Sequence, residues 1–180
     1  MKIHHFSGRV YVWYPHGGQV GHCSMHIGAH QEPASTDWYV SWWPQGDSVF
    51  METSTMNTYN ADLAPAGEGG PPHVEYHVYG LDVNQMKIAW DDIRTKPGSH
   101  YDLFKKSCST IVARVLRAGG AGESLNVIKQ VGYAHNVYWT PKDVAQWCNQ
   151  LRDKGMATKH KHHSCPTKGK SKLSVLFGLR

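Results

Sequence analysis

The sequence predicts an α+β fold in which an antiparallel sheet packs against helices, and three observations carry this reading. Apolar residues alternate with period two through most segments up to Leu81. From Asp82 onward the apolar spacing becomes helical. Strand signals therefore come first and helix signals second, an order that favours α+β over an alternating parallel architecture.

The elements follow in order. RVYVWYP (9–15) sets Val10, Val12 and Tyr14 against Tyr11 and Trp13, and His16-Gly17-Gly18 then turns the chain. GHCSMHIG (21–28) alternates again, with His22, Ser24 and His26 on one face and Cys23, Met25 and Ile27 on the other. DWYVSWWP reads as a third strand ended by Pro44-Gln45-Gly46, followed by SVFMET. Residues 53–73 are rich in Gly, Pro and Ala and read as a long surface loop. VEYHVYGL (74–81) is a further strand.

Asp82 with Gln85 resembles a capping box opening the helix VNQMKIAWDDIR, with Met86, Ile88, Ala89 and Ile93 as its apolar positions; Pro97-Gly98 ends it. In KSCSTIVARVLRAGG, the residues Ile111, Val112, Val115 and Leu116 fall on one helical face, and Gly119-Gly120 stops the helix. Ser107, Ser109 and Thr110 are all competent caps. After a Gly-containing loop, Thr140-Pro141-Lys142-Asp143 opens a helix that buries Val144, Trp147, Cys148 and Leu151.

At 180 residues, 40% hydrophobic and 18% charged, the chain has the volume and composition of one globular domain. No run reaches the roughly 18 apolar residues of a membrane-spanning helix. The start, MKIHHFSGRVYVWYPHGG, has no signal-peptide apolar segment or cleavage site, which points to the cytoplasm or to secretion by a route that reads no such signal. Cys23, Cys108, Cys148 and Cys165 lack the spacing of a disulfide framework, so reduced thiols are expected. The net charge of +5 gathers after Asp153, in a stretch of Lys, Arg and His without an acid. Residues 1–155 are therefore expected to form the domain and 156–180 a basic tail, solvated or in contact with an acidic partner. Seven Trp and nine Tyr either build an aromatic core or line a cleft.

Cys108 is the residue with the clearest chemical promise. In the first turn of a helix, free backbone N–H groups and the positive end of the dipole favour a thiolate and can receive an oxyanion. The plain alternative is a buried cysteine acting as a small hydrophobe. A cysteine nucleophile needs a base, and His22, held by a strand just after a Gly-containing turn, is the best placed of 13 histidines.

The ordered segments VGHCSMHIG, YVSWWP, YHVYGLD, KSCSTIVARVLRAGG and WTPKDVAQW together resemble papain-like cysteine hydrolases of the circularly permuted NlpC type, in which the His strand precedes the Cys helix. Similar sets of segments occur in bacterial toxin and effector proteins. The resemblance implies Cys108 as nucleophile, His22 as base and a polar strand residue orienting the imidazole. DWYVSWWP offers Ser41 for that place, with Asp37 and Glu52 at its margins. The relatives usually carry Asn before the nucleophile, where this chain has Ser107.

The expected function is a cysteine hydrolase or acyl transferase acting on an amide, ester or thioester of a protein, peptidoglycan or lipid substrate, in the setting of an effector with a cognate immunity or carrier protein. The rival reading is a binding module for nucleic acid or anionic lipid on an inactive scaffold of the same kind. No cofactor is implied. Zinc on His22, Cys23, His26, His160, His162, His163 and Cys165 is disfavoured, because a strand points Cys23 away from its neighbours and no CxxC or HExxH spacing occurs.

Overall fold

The computed structural model describes residues 5–16, 19–28, 38–44, 50–96, 100–102, 107–123 and 139–166. The expected turns at Gly17-Gly18 and Pro97-Gly98, residues 124–138 of the expected loop, and residues 167–180 of the basic stretch lie outside this set. The fold is α+β. Strands β1 (Phe6–Trp13), β2 (His22–Ile27), β3 (Tyr39–Val40), β6 (Val74–Tyr79) and β8 (Ala157–Lys161) form an antiparallel sheet in the order β3-β2-β1-β6-β8. A smaller antiparallel sheet joins β4 (Trp43–Pro44), β5 (Phe50–Thr55) and β7 (His100–Asp102). The helices are α1 (Tyr59–Leu63), α2 (Val83–Thr95), α3 (Cys108–Ala118) and α4 (Pro141–Asp153).

The alternation in the sequence sorts side chains onto the two faces of the large sheet. Val10, Val12, Cys23, Met25, Ile27, Val74, Tyr76 and Val78 share one core with Ile111, Val112, Val115 and Leu116 of α3 and Val144, Trp147, Cys148 and Leu151 of α4. Tyr11, Trp13 and Tyr39 form a second, aromatic cluster, packed against Tyr59 and Leu63 of α1. Both faces of β2 are therefore covered, and all six of its residues are buried. Most of the tryptophans serve packing: Trp13, Trp42, Trp90, Trp139 and Trp147 are buried.

Local signals explain the helix starts. Asp82 caps α2 by accepting from the backbone N–H groups of Asn84 and Gln85. Thr140 and Asp143 exchange both bonds of a capping box at α4, with Pro141 in the first turn. On α2 the apolar face differs from the expected one. Met86 and Trp90 are buried whereas Ile88 is exposed, because the contact with α3 follows the i, i+4 row through Met86.

Three further expectations change. DWYVSWWP is two short strands in different sheets, because the chain switches sheets at Ser41-Trp42. The stretch expected to be a surface loop over 53–73 holds the end of β5 and all of α1, with Asp62, Glu68 and His73 buried. The large sheet also runs past the expected boundary at residue 155. β8 pairs with β6 from Val78↔Ala157 to Val74↔Lys161, and Lys159 Nζ donates to Asn149 Oδ1 of α4 at 3.2 Å. ATKHK carries no hydrophobic alternation because an edge strand needs few buried side chains; its pairing is mostly backbone.

Relative to a chain ending at Pro166, a chain ending at Met156 should therefore melt at least about 5 °C lower, since it loses a whole ladder of the sheet. Equal melting midpoints by circular dichroism would show that β8 adds nothing to the core.

Candidate functional site

β2 begins at His22, and its entry is set by Gly21. At φ +80° a side chain there would be strained, and its Cβ would lie 2.6 Å from the Trp13 carbonyl oxygen. His22 is 2% exposed. Its ring stacks on Trp43 with centroids 4.5 Å apart and is tilted against Trp13 at 5.6 Å, contacts that constrain the ring plane.

One of those edges meets Asp62, a residue of α1 that is completely buried. Thr58 caps this short helix by accepting from Ala61 N–H at 3.2 Å. The chain then folds back tightly, with Glu68 N–H donating to the Asp62 carbonyl at 2.8 Å. Gly67 permits the return, since a Cβ there would sit 2.5 Å from the Ala61 carbonyl oxygen and 2.7 Å from that of Asp62.

The Asp62 carboxylate receives four donors. Tyr39 O–H donates at 2.6 Å, Trp43 Nε1–H at 2.8 Å, Ser41 O–H at 2.9 Å, and His22 Nε2 lies at 3.2 Å. Each hydroxyl has only one proton to give. Tyr39 spends its proton on the carboxylate, so the 2.6 Å contact with Ser24 has the serine donating. Ser41 likewise gives its proton to Asp62, and its oxygen shares with the carboxylate the single protons of Trp43 Nε1, at 3.1 Å, and His22 Nε2, at 3.3 Å. Because a carboxylate only accepts, these contacts place a proton on His22 Nε2 and leave Nδ1 as the ring nitrogen free to exchange one.

Cys108 is the first residue of α3. Ser107 is the cap, accepting from Thr110 N–H at 3.3 Å, so the earliest N–H groups of the helix have no intrahelical partner. Cys108 is 6% exposed, and its sulfur lies 3.9 Å from Ser109 Oγ. Burial pushes it up, but the charge of His22, a hydrogen bond with His22, a backbone hydrogen bond at Cys23 and the Ser109 hydroxyl outweigh burial and bring it below the ordinary thiol range. Burial likewise pushes the His22 imidazole down, and the Cys108 charge with hydrogen bonds to Asp62 and Cys108 raises it above its usual range. Cys148, buried without such a partner, is pushed up to about 12.

Of the residues expected from the sequence, His22 and Ser41 meet at the Asp62 carboxylate, with Ser41 Oγ 3.3 Å from His22 Nε2, while Cys108 sits at the start of α3 with its sulfur 3.9 Å from Ser109 Oγ. Asp37 lies outside the described residues, and Glu52 is on β5. Asp62 is the residue that sequence reasoning missed. Thr58 with an acid in the first turn was the available signal, but five helical residues are too few to show a period.

Burial pushes the Asp62 carboxyl up, whereas the hydrogen bond and charge of His22 and the hydroxyls of Tyr39 and Ser41 pull it below its usual value of 3.8. A carboxyl held below its unfolded value binds fewer protons folded than unfolded. Its stabilisation is therefore present above pH 3.8 and lost as pH falls through the lower, folded value. Asp62→Asn should cost roughly 3 kcal/mol near pH 7 and narrow the gap to wild type below that range, read by urea unfolding across pH. A constant gap down to acid pH would show that the charge of Asp62 does not contribute.

Comparison with known proteins places the chain in a family. The family described as the IcsB middle domain matches residues 47–169, more than half of the chain, a span that includes Asp62 and Cys108. The chain is 32% identical over 74 residues, 41% of its length, to the multifunctional-autoprocessing repeats-in-toxin protein of Vibrio vulnificus. It is also 32% identical over 98 residues, 54% of its length, to the protein of that name from Vibrio cholerae serotype O1. These stretches cover 1% and 2% of those much longer toxins. No solved structure matches the chain. By the extent of the family match, the chain belongs to the IcsB middle domain family.

Proposed function

We propose that the chain is a papain-like, thiol-dependent acyl-transfer domain of a bacterial effector, with Cys108 as nucleophile, His22 as base and acid, and Asp62, supported by Ser41, orienting the imidazole. The observation that carries this reading is the division of labour on the His22 ring. Nε2 is committed to a saturated carboxylate and Nδ1 is left for proton exchange, on a strand packed against the helix that Cys108 opens. The order of elements, His strand before Cys helix, agrees with the permuted arrangement of the NlpC-type enzymes.

In the reaction, Cys108 Sγ forms a bond to the carbonyl carbon of an amide, ester or thioester, and the carbonyl oxygen takes up the negative charge. The free N–H groups at the start of α3 are the donors nearest to hand for that oxygen. His22 Nδ1 gives its proton to the leaving nitrogen, oxygen or sulfur, and the carbon–leaving-group bond breaks to yield a thioester on Cys108. Water or another nucleophile then attacks the thioester carbonyl. His22 takes the proton of that nucleophile, and Cys108 departs as thiolate. Asp62 keeps the proton on Nε2 throughout and offsets the charge on the ring.

An effector role draws on the relatives, which are segments of toxins. Among the described residues no helix is long and apolar enough to cross a membrane. The substrate is a carbonyl compound from protein, peptidoglycan or lipid.

The test is a pre-steady-state reaction with a small activated ester, such as p-nitrophenyl acetate, followed by intact mass spectrometry. Wild type should gain one acetyl group on Cys108, and Cys108→Ala none. His22→Ala should slow acylation at pH 7 by about 100-fold or more, with Asp62→Asn intermediate. Acetylation that is insensitive to His22→Ala, or spread equally over Cys108 and Cys165, would sink the proposal.

A further inference from the structure

We propose that the free edge of the large sheet, β8, is a docking site for an acidic extended segment of another protein, which adds to the sheet as a further strand. This surface is separate from the candidate functional site: β1 and β6 lie between β8 and the strand that carries His22.

The backbone of β8 presents one row of groups to the sheet and one to the outside. Tyr79 N–H donates to the Met156 carbonyl at 2.9 Å, and His162 N–H donates to the His73 carbonyl at 3.0 Å. In an antiparallel ladder such bonded pairs recur at every second residue, so Thr158 and His160 also aim their N–H and C=O groups at β6. Ala157, Lys159 and Lys161 aim theirs away from it, and none of those backbone groups has a hydrogen-bond partner among the described residues. Thr158, His160 and Lys161 are exposed, so the strand is open to solvent. The outward row has strand spacing and holds both donors and acceptors, which a peptide backbone matches and a phosphate backbone does not.

The side chains select the occupant by charge. Lys159 and Lys161 share a face with their register partners Tyr76 and Val74, and Lys159 lies over the Tyr76 ring. His160 is on the other face, its ring 4.5 Å from that of His77. From Lys154 to Pro166 the chain has no acid, and Lys161 has no ion-pair partner among the described residues. A second copy paired through β8 would set Lys and His against Lys and His, and like charges across a ladder are destabilising. Edge lysines turn away neutral strands as well. A strand with acids at every second position places them all on one face, beside Lys159 and Lys161. A hollow of about 230 Å³ lined by Tyr59, Pro72, Glu75, His160, Lys161 and His162 has room for a side chain from the opposite face of that strand. Glu75 in its wall is already engaged by His77 and Arg9.

The probe is a capped peptide, Thr-Glu-Val-Glu-Val-Glu-Thr, titrated by NMR into the ¹⁵N-labelled 180-residue chain near pH 7.5, where lysines are charged. Shift changes should concentrate on the amides of Ala157, Lys159 and Lys161, the outward row. Two further peptides carry N-methyl groups, one on the Glu nitrogens and the other on the intervening Val and Thr nitrogens. Only alternate N–H groups of an added strand face the edge, so one methylated peptide should bind at least about tenfold more weakly and the other as the parent does. Lys161→Glu, a change on an exposed side chain, should weaken the parent peptide about threefold or more and favour a peptide with Lys in place of Glu. The spectrum of that variant away from β8 should match wild type. No shift change at β8, or the same effect of both methylations, would overturn strand addition. An oligothymidylate that displaces the parent peptide while both methylated peptides bind as the parent does would make the edge a plain cationic patch. Amides of β8 that shift with protein concentration alone, through a dimer, would show that a second copy takes the edge. Either result would overturn the proposal.

Discussion

The site depends on one buried carboxylate. Asp62 is removed from water entirely, and an unpaired charge in that position would cost several kcal/mol. The protein meets that cost with four donors from three segments: the imidazole of β2, the hydroxyls of Tyr39 and Ser41, and the indole of Trp43. The carboxylate ties together β2 and the segment where the chain passes from the large sheet to the small one.

Satisfying Asp62 also organises His22. The ring is held in its plane by Trp13 and Trp43 and in its tautomer by the carboxylate, so its remaining freedom is a proton at Nδ1. Cys108 arrives from the opposite layer, on a helix whose apolar face is fully buried against the same strand that carries His22.

The family match begins at residue 47, beyond the β1–β2 hairpin and Ser41, and holds Asp62, Glu68 and Cys108. The cluster therefore combines residues from inside the matched span with His22 and Ser41 from outside it. A burial pattern that covers both faces of β2 ties the two parts into one core, since β2 packs against α3 and pairs with β1. The basic stretch joins that core as well. Its first residues complete the edge of the sheet, and Lys159 lies over the Tyr76 ring while bonding Asn149.

Much of this was legible in the sequence where a short-range rule applies. Alternation defined β1, β2 and β6, the 3.6-residue period defined the buried face of α3, and Thr140-Pro141 with Asp143 opened α4, because each signal is contained within one element. Cys108 and His22 were nameable for the same reason: a helix start and a strand start are local features. Asp62, Glu68 and β8 were not. A five-residue helix shows no period, a Gly- and Pro-rich stretch looks exposed whether or not it folds back, and an edge strand of Thr, Lys and His hides among basic residues. What the sequence determined by itself is the inventory of elements and the thiol and imidazole they present. Which carboxylate would meet that imidazole was decided only by tertiary structure, because burial creates the demand for donors, and burial belongs to the assembled layers rather than to any segment.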